Sequence, residues 1–191
     1  YRNHGGTAAA LDLIDEAAEA GLDVAADVYP YTASSTSLTT RLPSWALDGG
    51  TRSMLSRLAD AEQRERILSE MRQGQATPAT GVMIAHLQPG KYADRAGQSL
   101  AQIAEAEGVD DAEATLRVLA AHDGTASVVL HSMAAEDVAR VLSHPRVAVA
   151  SDGAVLEPEG EGRPHPRSFG TFPRVIARYV REQALLSLPE A

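Results

Sequence analysis

Val147-Ala148-Val149-Ala150-Ser151-Asp152-Gly153 is the stretch whose reading decides the fold. Four small apolar residues read as a short buried strand, and its C-terminal end delivers a polar triplet. The same pattern recurs upstream. Val24 to Val28 closes at Tyr29-Pro30, Val82 to Ala85 runs into His86, and Ser127 to Leu130 ends at His131-Ser132. Helical periodicities fill the intervals. The first covers roughly residues 8–20, with Thr7 as N-cap and Gly21 as stop. A charged surface helix covers 60–73 and ends at Gly74. Ser99 caps a helix to about Glu107, Asp110 caps another to about Ala121, a further one starts near Ser132 and runs through Leu142, and Phe172 to Leu185 is the last. The hydroxyl-rich run Thr32 to Thr40 is expected to be loop.

Strands alternating with helices predict βαβ units and a parallel sheet. The polar clusters fall after strand C-termini, where open α/β sheets and (β/α)8 barrels keep their active sites. About four strands in 191 residues, against about 250 residues for a full barrel, would make roughly half of one.

Composition narrows the function. Seventeen Lys and Arg against 26 Asp and Glu leave a net charge of −9, which disfavours nucleic acid and acidic membrane surfaces as partners. The apolar runs are far shorter than the ~20 residues of a membrane span. With no cysteine, any metal must be held by nitrogen and oxygen donors. Both ends read as cut from a longer protein: the chain opens on Tyr1, and Ser187-Leu188-Pro189-Glu190-Ala191 reads as the start of a helix.

Asp152, at a strand mouth and followed by glycine, suits a metal ligand that also takes a proton from metal-bound water; Asp-Gly is equally a common turn pair. Arg167, in Arg163-Pro164-His165-Pro166-Arg167, suits a bidentate grip on a carboxylate, or a helix cap or ion pair. Tyr29 and Tyr31, with Ser34 and Ser35 behind them, offer hydroxyl donors to a carboxylate or carbonyl; Tyr31 equally suits a core aromatic. His86 and His131 with Asp152 would nominally build a metal site, although a histidine at a strand end more commonly packs or hydrogen-bonds. His4, His122 and His144 read as surface or loop positions. Local sequence supports neither a nucleophile elbow nor a phosphate or dinucleotide loop.

The ordered series Asp27-Val28-Tyr29-Pro30-Tyr31, Ala33-Ser34-Ser35-Thr36, Leu42-Pro43-Ser44-Trp45-Ala46, Ser151-Asp152-Gly153, His165-Pro166-Arg167 and Gly170-Thr171-Phe172-Pro173-Arg174 resembles the N-acyl-D-amino-acid deacylases (D-aminoacylases) of the amidohydrolase superfamily. The resemblance runs over nearly the whole chain. It implies an α/β fold that is an incomplete TIM-type (β/α)8 barrel, its C-terminal portion, with about the last two barrel strands plus insertions and no separate second domain in 1–191. It implies a zinc-dependent hydrolase that cleaves an N-acyl-D-amino acid to a carboxylate and a free D-amino acid. Asp152 then acts as general base and acid and as a ligand to a second, weaker metal, while Tyr29, Ser35 and Arg167 contact the substrate carboxylate. The family's cysteine and histidine zinc ligands, and a histidine-histidine-lysine strand, have no counterpart here. They are expected upstream of Tyr1, on the remainder of the barrel, in a cytoplasmic enzyme, and the chain alone is expected to be inactive. A dihydroorotase- or hydantoinase-like hydrolase and a non-catalytic α/β interaction module are the alternative readings.

Overall fold

The computed structural model describes residues 4–157, 160 and 162–191. The chain is a mixed α/β protein that divides into two compact units. The first takes in the chain up to Ala33, Ser132–Gly160 and Pro166–Ala191; the second takes in Ser34–His131 and the stretch ending at His165.

In the first unit, helix α1 (Thr7–Glu19) leads to strand β1 (Ala26–Val28), and α6 (Ala135–Leu142) leads to β5 (Val147–Val149). The two strands pair in parallel, Ala26 opposite Val147 and Val28 opposite Val149, and Ala150 N–H extends the ladder to Val28 O at 3.0 Å. Helix α7 (Arg167–Arg174) continues into a π-type helix, Val175–Glu182. Val138 and Leu142 of α6 pack with Val175, Tyr179 and Leu186, and Val28 and Val149 close the cluster from the strands. Thr7 is not the N-cap of α1; Gly6 is, and the Thr7 hydroxyl donates instead to Asp137 of α6, which also accepts from Gly5 N–H. Tertiary pairing outcompeted the local cap. The last helix starts at Arg167 rather than Phe172, so Pro173 falls inside it and its missing N–H precedes the change to π-type pitch. Helix α6 starts at Ala135, without a side-chain cap, rather than near Ser132. At Ser187, Glu190 accepts from Ser187 N–H at 2.7 Å, the reciprocal half of a capping box, but residues 188–190 form a turn rather than the expected helix start.

The second unit holds the larger core. Strands β2 (Ser34–Ser37), β4 (Ala126–Leu130) and β3 (Val82–Leu87) form a three-stranded sheet in the order β2-β4-β3, antiparallel throughout. The expected single parallel sheet is therefore confined to β1 and β5. β2 follows β1 without the helical crossover a parallel neighbour needs, and β4 enters between β2 and β3. The predicted loop at Thr32 to Thr40 holds β2 and a 3-10 turn, Leu38–Arg41. Its hydroxyl residues carry no apolar alternation, and only pairing with Val128, Val129 and Leu130 makes them a strand.

Helices α2 (Gly50–Ala59), α3 (Ala61–Arg72), α4 (Leu100–Glu107) and α5 (Asp111–Ala121) cover this sheet. Leu38, Met54, Ile67, Ile84, Leu100, Leu116, Leu119 and Val128 are fully buried between them. The predicted caps hold: Ser99 and Gln102 form a reciprocal capping box, and Asp110 accepts from Glu113 N–H at 2.7 Å. Across α3, α4 and α5, Arg64, Glu113, Arg117, Glu107 and Lys91 form a continuous ion-pair chain. Bonds from Lys91, Tyr92 and Arg117 hold the Glu107 carboxyl down at about 2.

Candidate functional site

Because β1 and β5 run parallel, their C-terminal ends emerge on the same side of the pair, and both deliver polar residues there: Tyr29 after Val28, Ser151 and Asp152 after Ala150. Helix α7 brings its first residue, Arg167, to the same place. Arg167 Nη1 lies 2.9 Å from Asp152 Oδ2, and its guanidinium stands 5.0 Å from the Tyr29 ring centroid. The arginine side chain is 12% exposed and the aspartate 67%, so a packed cation faces a solvent-facing carboxylate.

The local backbone explains the pairing. Asp152 has φ of +45°, a left-handed turn conformation that aspartate tolerates better than most residues. A Cβ on Gly153 would lie 2.9 Å from Ser168 Cα and 3.1 Å from Arg167 O, so only glycine lets this turn press against the start of α7. Ser151 Oγ accepts from Gly153 N–H, and Ser168 Oγ accepts from Ala154 N–H, fastening the turn to the helix. The turn reading of Asp-Gly therefore holds, and the turn sets the carboxylate against Arg167.

Tyr31 is buried, and its hydroxyl donates to Pro166 O at 3.3 Å. Burial pushes that hydroxyl's pKa up, while Arg174 over its ring pulls it down. Tyr31 is thus the core aromatic. Ser35 lies on β2 in the second unit, half-buried and opposite Val129.

The histidines depart from the nominal metal reading. His86 sits on β3 opposite Ser127, beside a register shift, and His131 follows β4 with its N–H on Gly81 O. Among the described residues no three His, Asp or Glu side chains converge on a point that would hold a metal ion, so the grouping of His86, His131 and Asp152 is not formed. Asp152 is one carboxylate, already paired with Arg167. The donors among the described residues do not by themselves fit a zinc ion, which takes three or four converging ligands. His4 meets Ser132 O and His144 meets Asp15, whereas His122 is buried at the end of α5, against the turn at Gly90 to Tyr92, rather than on the surface.

Arg174 is the residue whose place the sequence did not show. Its Nε donates to Pro30 O at 2.6 Å and its guanidinium covers Tyr31 at 4.7 Å. The signal was the Gly-Thr-Phe-Pro-Arg run, once α7 is seen to start at Arg167.

No family model matches the chain. It is 33% identical over 189 residues to an N-acyl-D-glutamate deacylase and 32% identical over 190 residues to an N-acyl-D-aspartate deacylase, both from Alcaligenes xylosoxydans xylosoxydans. These matches take in 99% and 100% of the chain but 30% and 29% of the relatives' length. Among solved structures it superposes on the N-acyl-D-glutamate deacylase of Bordetella bronchiseptica, complexed with zinc and a phosphonate mimic of the tetrahedral intermediate, with a TM-score of 0.68 and 30% identity over 100% of this chain and 31% of that one. A D-aminoacylase structure described as defining a novel subset of amidohydrolases follows, with a TM-score of 0.64 and 29% identity over 98% of this chain and 30% of that one. Over nearly its whole length, in sequence and in fold, the chain is similar to these deacylases, and it spans about 30% of their length.

Proposed function

We propose that the chain forms part of the catalytic barrel of an amidohydrolase that cleaves N-acyl-D-amino acids, and that it supplies the carboxylate clamp and the acid-base aspartate. The observation that carries this reading is the convergence of Tyr29, Asp152 and Arg167 at the C-terminal ends of two parallel strands. Among the described residues β1 pairs only with β5 and β5 only with β1. A two-stranded parallel ribbon is too small to stand alone, and further barrel strands are its natural neighbours.

Arg167 presents a planar fork, held by packing over Tyr29, to the substrate's α-carboxylate. The Tyr29 hydroxyl is a further donor to that carboxylate. Asp152 takes a proton from the water that attacks the amide carbon. As the carbon–oxygen bond forms and the carbon–nitrogen bond breaks, it returns that proton to the leaving amine. Zinc belongs to the same reading as the deacylases' cofactor, held by donors that the described residues do not themselves gather.

An arginine fork at the strand mouth favours substrates that carry a free carboxylate over ring amides that lack one, such as unsubstituted hydantoins. Hydrolysis of N-acetyl-D-methionine, N-acetyl-D-glutamate and N-acetyl-D-aspartate by the full-length enzyme tests the reading. Asp152→Asn is expected to lower kcat by at least about 100-fold while competitive inhibition by the free D-amino acid persists. An unchanged hydrolysis rate overturns the assignment.

A further inference from the structure

We infer that Arg174 is a positioning residue for the carboxylate clamp, holding Tyr29 in place through Pro30 and thereby the arginine stacked upon it. This rests on the deacylase reading, and it adds a residue on the far end of α7 that reading does not use.

The turn Tyr29-Pro30-Tyr31 connects the end of β1 to this helix. Proline fixes its own φ, and Tyr31 N–H donates to Tyr29 O at 2.9 Å, closing a three-residue turn. Closure leaves the Pro30 carbonyl pointing away from the turn, and two side chains take it up: Arg174 Nε at 2.6 Å and the Tyr179 hydroxyl at 3.4 Å. Pro30 is itself buried, so an unmet carbonyl there would carry a desolvation penalty.

Two arginine-on-tyrosine stacks flank the proline. Arg167 lies over Tyr29 at 5.0 Å and Arg174 over Tyr31 at 4.7 Å. Their Cα atoms are about 10 Å apart along the helix at 1.5 Å per residue, so the turn is fastened at both ends of one rigid rod. The Tyr31 hydroxyl adds a third attachment, to the carbonyl of Pro166, the residue immediately before Arg167. A Cβ at Gly170 would approach that hydroxyl to 3.2 Å, so the glycine gives the tyrosine room to cross the helix.

Arg174 therefore acts on the clamp without touching substrate. If Arg174 lets go of the Pro30 carbonyl, only the longer Tyr179 bond holds it, and the turn carrying the Tyr29 ring on which the Arg167 fork rests is less firmly placed. A fork aligned to a planar carboxylate tolerates little displacement, so the loss is in substrate binding. Lysine would retain the charge and one donor but not the planar stack, and glutamine would lose both the charge and the stack.

The test is steady-state kinetics of the full-length enzyme carrying Arg174→Gln, Arg174→Lys or Tyr179→Phe, with an N-acyl-D-amino acid and with the matching N-acyl amine that lacks the carboxylate. We expect Arg174→Gln to raise KM for the carboxylate substrate about tenfold with kcat within about twofold, and Arg174→Lys to recover part of the loss. Tyr179→Phe, which removes only the longer bond, should raise KM about two- to threefold and provides the measurement if Arg174→Gln fails to fold. The carboxylate-free substrate should be insensitive to all three. Unchanged KM in the folded variants, or an equal loss with both substrates, overturns the inference even where Arg167→Lys raises KM. If Arg167→Lys also leaves KM unchanged, the clamp reading itself has failed.

Discussion

Replacing Arg167 by lysine is the sharpest probe of the clamp, because it keeps the charge and removes only geometry. Arg167 is 12% exposed, pairs with Asp152 at 2.9 Å and covers Tyr29 at 5.0 Å. Lysine forfeits the second arm of the fork to a substrate carboxylate, a charge-assisted bond of about 1.5–3 kcal/mol. It also forfeits a partly desolvated stack of about 1 kcal/mol. Its flexible ammonium recovers some of this through a single strong bond, leaving a net loss of about 2–3 kcal/mol. At about 1.4 kcal/mol per tenfold, KM rises about 30- to 140-fold. The clamp binds ground state and transition state alike, so kcat should fall by no more than about threefold. The assay is initial-rate hydrolysis of N-acyl-D-amino acids by the full-length enzyme, with an N-acyl amine as control. Removing the carboxylate from substrate and the fork from enzyme deletes the same interaction, so the two losses should be strongly non-additive. A KM within about threefold of wild type, or full additivity, refutes the clamp.

Two further predictions concern the scaffold. Glu107 is held at about 2, against an ordinary 4.5, so its ion pairs stabilise the fold fully above about pH 4.5 and are lost as pH falls from there toward 2. Urea midpoints measured between pH 6 and pH 2.5 should fall steeply at the acid end, and Glu107→Gln should flatten that limb while lowering stability at neutral pH. Leu119 is 0% exposed in the core of the second unit, so Leu119→Ala should cost about 2–5 kcal/mol in urea unfolding. A loss under about 1 kcal/mol would mean that this core is not packed as described.

Local chemistry made much of the molecule legible. The capping boxes and aspartate caps at Ser99 and Asp110 specify helix starts from within a few residues, and α4 and α5 begin where they predict. The short apolar runs before Tyr29 and Ser151-Asp152-Gly153 marked β1 and β5, and the order of the polar motifs marked the family. Those signals depend on neighbours in sequence, which the chain carries wherever it folds.

Other features depended on partners distant in sequence. The Ser34–Ser37 run has no strand periodicity of its own and becomes β2 only opposite Val128 and Val129. The sheet of the second unit is antiparallel because β4 enters between two strands already joined by other routes, a choice no local pattern encodes. Thr7 could cap its own helix, yet bonds to Asp137 more than a hundred residues away. At the site, the sequence named Tyr29, Asp152 and Arg167 by type and position. Only the parallel pairing of β1 with β5, and a helix beginning six residues before Pro173, set the arginine between the aspartate and the tyrosine ring. Which residues carry the chemistry is a property of side chains, and sequence displays those directly. Which of them meet is settled by the competition among long-range pairings, and that exists only in the folded chain.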